Sequence, residues 1–412
     1  MSDAATPRVW AILCYREGDN AQILAVAEAL GWPFEVKRLA YRSFGYAVDV
    51  WRGATLLGID RGESDPLGPP WPDLIISASM RNEPVCRWIR RRAGGRTRYV
   101  HMGRTWGRLE TFDLVVTSPE FRLRRLPNVQ QNALTLTRVT AGKLAAAENL
   151  WTPRLVHLPK PHIAVLVGGY GGPYALDPEK AARIGREASA MAAKAGGSLL
   201  VTTSARTRPA SAEALRAAIS APCHFFQWTA NAEHNPFYGY LALADQFIVT
   251  CDSASMLAEA CATRRPVFMF DLGADARWGV TPGTGPQRRR RLGLADFDWL
   301  KAFVYRQMLK VPPRRMTRDI RLVHRFLMDT GRAVWLGEPF PDEVPLPLDE
   351  MTPTVERIWA LFDDNRRASA GTASEAAGVP VLAQRREGQT PLVARSNQCR
   401  ARNAGDNRAI RN

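Results

Sequence analysis

Residues 235–271 read NPFYGYLALADQFIVTCDSASMLAEACATRRPVFMFD, and they decide the architecture. The run at 246–250, with Phe247, Ile248 and Val249 at its centre, predicts a buried strand, and the polar stretch 251–255 predicts a tight turn. Residues 256–262 carry helix-forming Met, Leu, Ala and Glu, and 266–270 return to a second buried strand. A short helix precedes the first strand. Strand, polar turn, helix and strand in this order build a parallel sheet. Ligands of such sheets sit beyond the carboxyl ends of the strands. Backbone N–H groups at a helix start attract anions there, phosphates especially. Asp252, Ser253 and Ser255 occupy the turn, where any of them can also cap the helix for purely structural reasons. Glu259 falls about one turn inside the helix, placed to accept hydrogen bonds from a ribose. The pattern is shaped for a nucleotide-sugar.

Outward from this stretch, the same alternation appears twice. In the first half, 9–14 reads as a strand, 16–20 as a polar loop, 21–30 as a helix ended by Gly31, and 34–38 as a strand. Strands at 73–77, 98–101 and 114–117 follow, with a helix at 83–93 between the first two. Residues 150–161 contain prolines and no periodicity, and are expected to form a linker. The pattern then restarts with a strand at 162–167, a Gly-rich loop at 168–174, a helix at 178–195 ended by Gly196-Gly197, and a strand at 198–203. A helix at 210–218 and a strand at 224–228 lead back into the opening stretch. The fold class is α/β, with two Rossmann-like parallel-sheet domains facing a cleft. Expected boundaries are 1–150, 151–350, a last helix at 351–366 and a disordered basic tail from 367. Amphipathic helices are expected at 295–310, with Phe297, Leu300, Phe303 and Val304 at helical spacing, at 320–330, and at 352–362, with Val355, Ile358, Trp359 and Phe362 on one face.

The turn also carries a signature. Asp252-Ser253-Ala254-Ser255-Met256, then Glu259-Ala260 and Pro266-Val267, resembles the bacterial branch of the mitochondrial-fission "elongated mitochondria" family. Asn235-Pro236, Leu243-Ala244-Asp245 and the 202–207 run TTSART fall in the family's order. The resemblance covers roughly residues 8–365. It implies a two-domain GT-B glycosyltransferase fold, with the last helix crossing back onto the first domain and the donor held by the second. Glu259 is similar to the ribose-binding glutamate of murein-lipid glycosyltransferases, and the stretch at Asn235 and Phe237 corresponds to a region that shapes a base pocket. The first-strand loop Arg16-Glu17-Gly18-Asp19-Asn20-Ala21-Gln22 corresponds to a family loop in which Asp19 stands at a histidine position.

The chain has 412 residues, enough for two cores. No apolar run approaches the ~20 residues that span a bilayer. The N-terminus lacks a basic n-region and a small-residue cleavage site, so no signal peptide is expected. Six cysteines are scattered without metal or disulfide spacing, which fits a reducing cytoplasm. Cys14 and Cys251 stand at strand ends, either as small buried residues or as thiolate nucleophiles. The net charge of +16 favours anionic partners such as nucleotide diphosphates or acidic phospholipids, with a peripheral place at the inner membrane face. Part of it lies in the tail and part at 288–291 and 314–325. No zinc finger, RRM signature or aromatic–basic alternation supports nucleic-acid binding.

Candidate donor-binding residues are Gly168 and Gly169, whose lack of Cβ lets backbone approach a phosphate, then Ser204, Arg206 and Thr207, Asn235, and Asp252, Ser253, Ser255 and Glu259. A planar guanidinium can bind two diphosphate oxygens at once. Asp19 is the candidate general base, with Glu17 competing; Arg81, Asn82 and His101 stand at the same sheet edge. No DxD motif for a metal-bridged diphosphate appears, so the leading expectation is a metal-independent glycosyltransferase using a nucleotide-diphosphate sugar and no separate cofactor. Its acceptor is unassigned, a lipid-linked one included. A non-catalytic membrane-surface adaptor and a sugar-nucleotide epimerase using His234 and Asp19 are the alternatives.

Overall fold

The computed structural model describes residues 6–42, 53–230, 232–272, 297–310 and 317–376, with backbone alone at 297–302 and 364–376. Met1–Asp363 packs as one unit, and the fold described below is that unit's.

The first half contains strands β1 (Val9–Ile12), β2 (Phe34–Lys37), a small antiparallel pair β3 (Ala40–Tyr41) and β4 (Ile59–Asp60), then β5 (Leu74–Ala78), β6 (Arg98–Met102), β7 (Leu114–Thr117) and β8 (Val129–Gln131). Six of them form a parallel sheet in the order β2-β1-β5-β6-β7-β8. Helices α1 (Glu17–Ala29) and α2 (Glu83–Arg92) cover it. The expected loop at 16–20 is instead the helix start: Glu17 and Asp19 lie in the first turn of α1, where acidic side chains suit the helix dipole.

The second half is entered by helix α3 (Ala141–Leu155). It runs through the first residues of the expected linker and continues past Pro153, because Trp151 and Leu155 are buried in the second core. Strands β9 (His162–Leu166), β10 (Ser198–Thr202), β11 (Cys223–Phe226), β12 (Gln246–Thr250), β13 (Val267–Phe270) and β14 (Val334–Trp335) follow. They form a second parallel sheet in the order β11-β10-β9-β12-β13-β14. In chain order within this sheet, that is the 3-2-1-4-5-6 arrangement of dinucleotide-binding folds. Every residue of β9, β10 and the last four of β12 is buried, as expected of parallel strands covered by helices on both faces.

Helices α4 (Pro178–Ala195), α5 (Pro209–Ala217), α6 (Phe237–Leu243) and α7 (Ala254–Cys261) connect these strands. α4 shows how the sequence sets its own limits. Asp177 caps it by accepting from Lys180 N at 2.9 Å, Pro178 opens it, and Gly196 ends it in the left-handed region at φ 65°. Helices α8 (Phe297–Lys310) and α9 (Arg321–Asp329) lie between β13 and β14.

The last helix, α10 (Met351–Ala376), is longer than expected. Its Val355 and Ile358 are buried in the first half's core, and Phe362 meets Trp32 edge-on at 5.2 Å. The chain therefore crosses back to the half it began in. Trp359, expected on the inner face, is exposed. The arginine run at 288–291 and the tail beyond 376 lie outside the described residues.

Candidate functional site at the second switch point

The order of the second sheet reverses between β9 and β12, and the loops leaving these two strands meet there. A chain passing so close to its neighbour needs glycine. A Cβ on Gly168 would lie 2.3 Å from Asp252 Oδ1, and one on Gly169 would lie 2.0 Å from the Arg206 carbonyl oxygen. Gly168 N donates to Thr250 Oγ1 at 2.8 Å, and Gly169 N donates to Asp252 Oδ2 at 3.0 Å.

Asp252 is buried and also receives Arg206 Nη1 at 2.5 Å. The same Nη1 reaches the Tyr170 carbonyl at 3.0 Å. Ser204 Oγ donates to the Gly168 carbonyl at 3.1 Å, Thr207 Oγ1 donates to the same oxygen, and Ser204 N donates to Thr207 Oγ1 at 3.0 Å. Five expected positions, Gly168, Gly169, Ser204, Arg206 and Thr207, thus form one knot with Asp252. The knot also changes what the Gly-rich loop can do, since its Gly169 amide is met by an internal carboxylate. Arg206 remains the outward-looking member: its side chain is 38% exposed, and its Nε and Nη2 make no bond among the described residues.

Helix α7 begins two residues earlier than expected, at Ala254. None of Asp252, Ser253 and Ser255 caps it: Asp252 is drawn to Gly169 and Arg206, and Ser253, at the N-cap position, makes no side-chain cap bond. The first bond closing the helix is Leu257 N to the Ser253 carbonyl at 3.1 Å, so the earlier amides are left for solvent or a ligand. Ser255 and Glu259, four residues apart, share one helix face. That face looks across to the first half, where a Cβ on Gly18 would lie 3.0 Å from Ser255 Oγ.

Glu259 is 8% exposed and has no hydrogen-bond or ion-pair partner among the described residues. Burial alone pushes its carboxyl up to about 8. Its charge is felt by Tyr238, whose hydroxyl is raised to about 12 mainly by burial. Tyr238 lies on α6, the helix that Asn235 begins by accepting from Phe237 N at 3.0 Å. Asn235 itself is exposed, and Phe237 packs partly into the second core.

In the first half, Gly18 brings the start of α1 against Ser255. Glu17 is exposed there and Asp19 half-buried, accepting from Cys14 Sγ at 3.9 Å. Asn20 holds the turn by accepting from Cys14 N at 2.7 Å and donating to Cys14 O at 2.9 Å. Both Cys14 and Cys251 are buried, and burial raises their thiols, which favours the small buried residue over the thiolate. Asn82 is buried and donates to the Ile12 and Leu13 carbonyls, each at 3.2 Å, while accepting from Tyr41. The first half's own switch point, between β1 and β5, is thereby filled by protein. His101 is buried, between Tyr99 Oη at 2.9 Å and the Arg104 carbonyl at 3.0 Å. His234 is exposed beside Glu233. Among the described residues no cluster of three acidic, histidine or cysteine side chains could hold a metal.

Gly171, with Gly172 part of the Gly-rich loop expected from the sequence, leaves room for the guanidinium, since its Cβ would lie 2.7 Å from Arg206 Nη1. A second residue, Thr250, which anchors Gly168, escaped the sequence. A threonine ending a buried strand just before the polar turn was the available signal for the second.

Two parallel sheets of this kind, joined by a last helix that returns to the first, define the chain as a protein with a GT-B glycosyltransferase-like fold. It belongs to the mitochondrial fission ELM1 family, whose model matches residues 17–283. The Mitochondrial fission protein ELM1 of Arabidopsis thaliana is 25% identical over 232 residues, 51% of this chain and 53% of that protein. The chain thus spans about half the length of this curated relative. Among solved structures, MurG of Acinetobacter baumannii is similar at 14% identity, over 80% of this chain and 85% of that one, with a TM-score of 0.37. A UDP-glucosyltransferase from Polygonum tinctorium is similar at 10% identity, over 88% and 100%, with a TM-score of 0.41.

Proposed function

We propose that the second half binds a nucleotide-diphosphate sugar along the open face of α7, and that the first half presents an acceptor for glycosyl transfer. The observation that carries this reading is Glu259: a buried carboxyl without a partner, one turn inside a helix whose start no side chain caps. The Glu259 carboxyl oxygens have no partner among the described residues, and ribose hydroxyls could donate to them. The diphosphate would lie at the helix start, where the Ser255 and Met256 amides and the free edge of Arg206 supply donors aimed at its developing charge.

On the opposite wall, Asp19 or Glu17 would take the proton from the acceptor hydroxyl as its oxygen attacks the anomeric carbon. The bond from that carbon to the diphosphate then breaks, and the nucleotide leaves with the electron pair. Isothermal titration with a panel of nucleoside diphosphates tests the first half of this account. Binding by the wild type, weakened at least tenfold in Glu259→Ala and in Arg206→Ala, is the expected result. No binding across the panel, or Glu259→Ala binding like wild type, would overturn it.

A further inference from the structure

Residues 317–324 touch three parts of the molecule at once, and the first of these is the other half. The loop leaving β7 makes one 3-10 turn, Pro119–Phe121, and ends at Arg122 with φ 52° and ψ 39°. A residue with a side chain keeps that left-handed backbone where the contacts around it over-determine it. Arg122 Nη2 donates to Thr317 Oγ1 at 2.5 Å and to the Thr317 carbonyl at 3.3 Å. Asp319 N donates at 2.7 Å to the carbonyl of Glu120, a buried residue. Arg318 reaches Glu120 Oε1 at 3.5 Å, with its guanidinium 5.6 Å from the centre of the Phe121 ring. Asp319 is itself held by two bonds from Arg321, both at 2.7 Å.

The other two contacts run to the candidate site, one to each of its loops. The main chain of Arg318 clamps Tyr305 Oη, its N–H donating at 2.5 Å and its carbonyl accepting at 3.4 Å. The Tyr305 ring lies over Gly172 of the Gly-rich loop, 3.2 Å from where a Cβ would stand. Leu309, one turn on and buried, seats α8 on the same side, whereas Phe303 and Val304, expected inside, are 43% and 48% exposed. The second arm is His324, which is buried in α9. A carbonyl only accepts, so His324 Nε2 carries the proton and donates to the Cys251 oxygen at 2.7 Å. Cys251 stands directly before Asp252, in the turn that leads into α7.

We infer that residues 317–324 form a bracket that couples the two halves to the candidate donor site, with Tyr305 and His324 as its positioning residues. The hold of Arg122 on Thr317 then sets the Gly-rich loop and the start of α7 together. By reciprocity, a ligand that orders those loops tightens the hold between the halves. Contacts that merely glue the halves together would end at 317–319, and loosening them would leave the loops as they were. What the bracket regulates rests on the donor-site reading, whereas its existence does not.

Hydrogen–deuterium exchange of the ligand-free full chain tests it. In Arg122→Ala, exchange should quicken roughly fivefold, the worth of one hydrogen bond, over 317–319 and also over 168–174 and 251–257. The buried strand β10 should keep its wild-type rate. Arg122→Gly removes the same side chain and suits the left-handed backbone, so it should do likewise even where the alanine variant folds poorly. Arg122→Lys keeps a donor for Thr317 and should restore most of the protection. Tyr305→Phe cuts one arm while keeping the ring, and should quicken 168–174 alone. Arg124→Ala breaks an exposed ion pair with Glu110 in the same half and should change none of these segments. An Arg122→Gly chain that frees 317–319 but leaves both loops at wild-type rates would overturn the inference. So would one that changes no segment, or one that quickens β10 equally. Titration with UDP and GDP is a separate arm: a wild type that binds neither removes the donor reading and leaves the exchange result to decide the bracket.

Discussion

Asp252 shows how much a single side chain can settle. Its carboxylate takes the Gly169 amide and the Arg206 guanidinium together, so the loops after β9, β10 and β12 are tied at one point. Removing it in Asp252→Ala leaves a buried amide unsatisfied and Arg206 without its anchor. The expected loss is about 1–3 kcal/mol, read as a fall in the denaturant midpoint at unchanged slope. Gly168→Ala should cost a similar amount or more, since its methyl has no room beside Asp252. Glu259 makes a prediction of opposite sign. Its carboxyl titrates near 8 in the folded chain against an ordinary value of 4.5. Between those values the folded state holds a proton that the unfolded state has lost, so its contribution to stability falls as pH rises. Glu259→Gln should therefore gain on the wild type progressively from about pH 5 to pH 8, by up to about 1.4 kcal/mol per pH unit. A difference that stays flat in thermal melts across that range would count against the buried, unpartnered carboxyl.

At the scale of elements, Trp151 is the instructive case. It sits in α3 and packs on Gly239 of α6, where an added Cβ would lie 2.3 Å from Trp151 Cγ. Gly239→Ala should destabilise the chain by about 1–3 kcal/mol, whereas a true linker at 150–161 would have made this position indifferent. Chemical denaturation distinguishes the two. The sequence was legible where a run of residues has only one reasonable fate. Strand β12 is found at 246–250 as expected, because the buried run Phe247–Thr250, flanked by polar residues, suits a covered parallel strand. α4 is found at 178–195 because both its ends carry their own stop signals. Legibility failed where tertiary contact outvotes local preference. Pro153 argued against a helix that the burial of Trp151 and Leu155 sustains, and the polar start of α1 resembled a loop until Asn20 was seen to grip Cys14. α8 is the sharpest example, since periodicity reveals an apolar stripe without saying what covers it. At the candidate site, residue types pointed to the edge where β9, β10 and β12 end, but the engagement of Asp252 with Gly169 and Arg206, rather than with its own helix, needed three-dimensional distances.

Across the whole unit, the two halves are held by a few polar ties on either side of the cleft. Asp319 N donates to the Glu120 carbonyl at 2.7 Å, and Arg122 Nη2 reaches Thr317 Oγ1 at 2.5 Å. At the other end Glu28 takes Arg138 and Lys143, and Glu350 accepts from Leu134 N at 3.0 Å. One half also carries His101 and the other His324, each buried and held neutral, with burial lowering its titration from 6.5 to about 4. In that window the unfolded chain binds protons that the folded chain refuses, so stability is lost as pH falls from about 6.5 towards 4. Two histidines outweigh the one carboxyl of Glu259 below 6.5, and that carboxyl acts alone above it. These three groups together should place maximum stability of the ligand-free chain near pH 6.5, which melts across pH 4.5–8.5 would check. The central claim is that the open face of α7 is a nucleotide-diphosphate site, and crystals soaked with UDP and GDP test it most directly. The predicted result is a diphosphate within hydrogen-bond distance of the Ser255 and Met256 amides and Arg206, with ribose hydroxyls on Glu259. Nucleotide bound elsewhere, or none at saturating concentration, would contradict it.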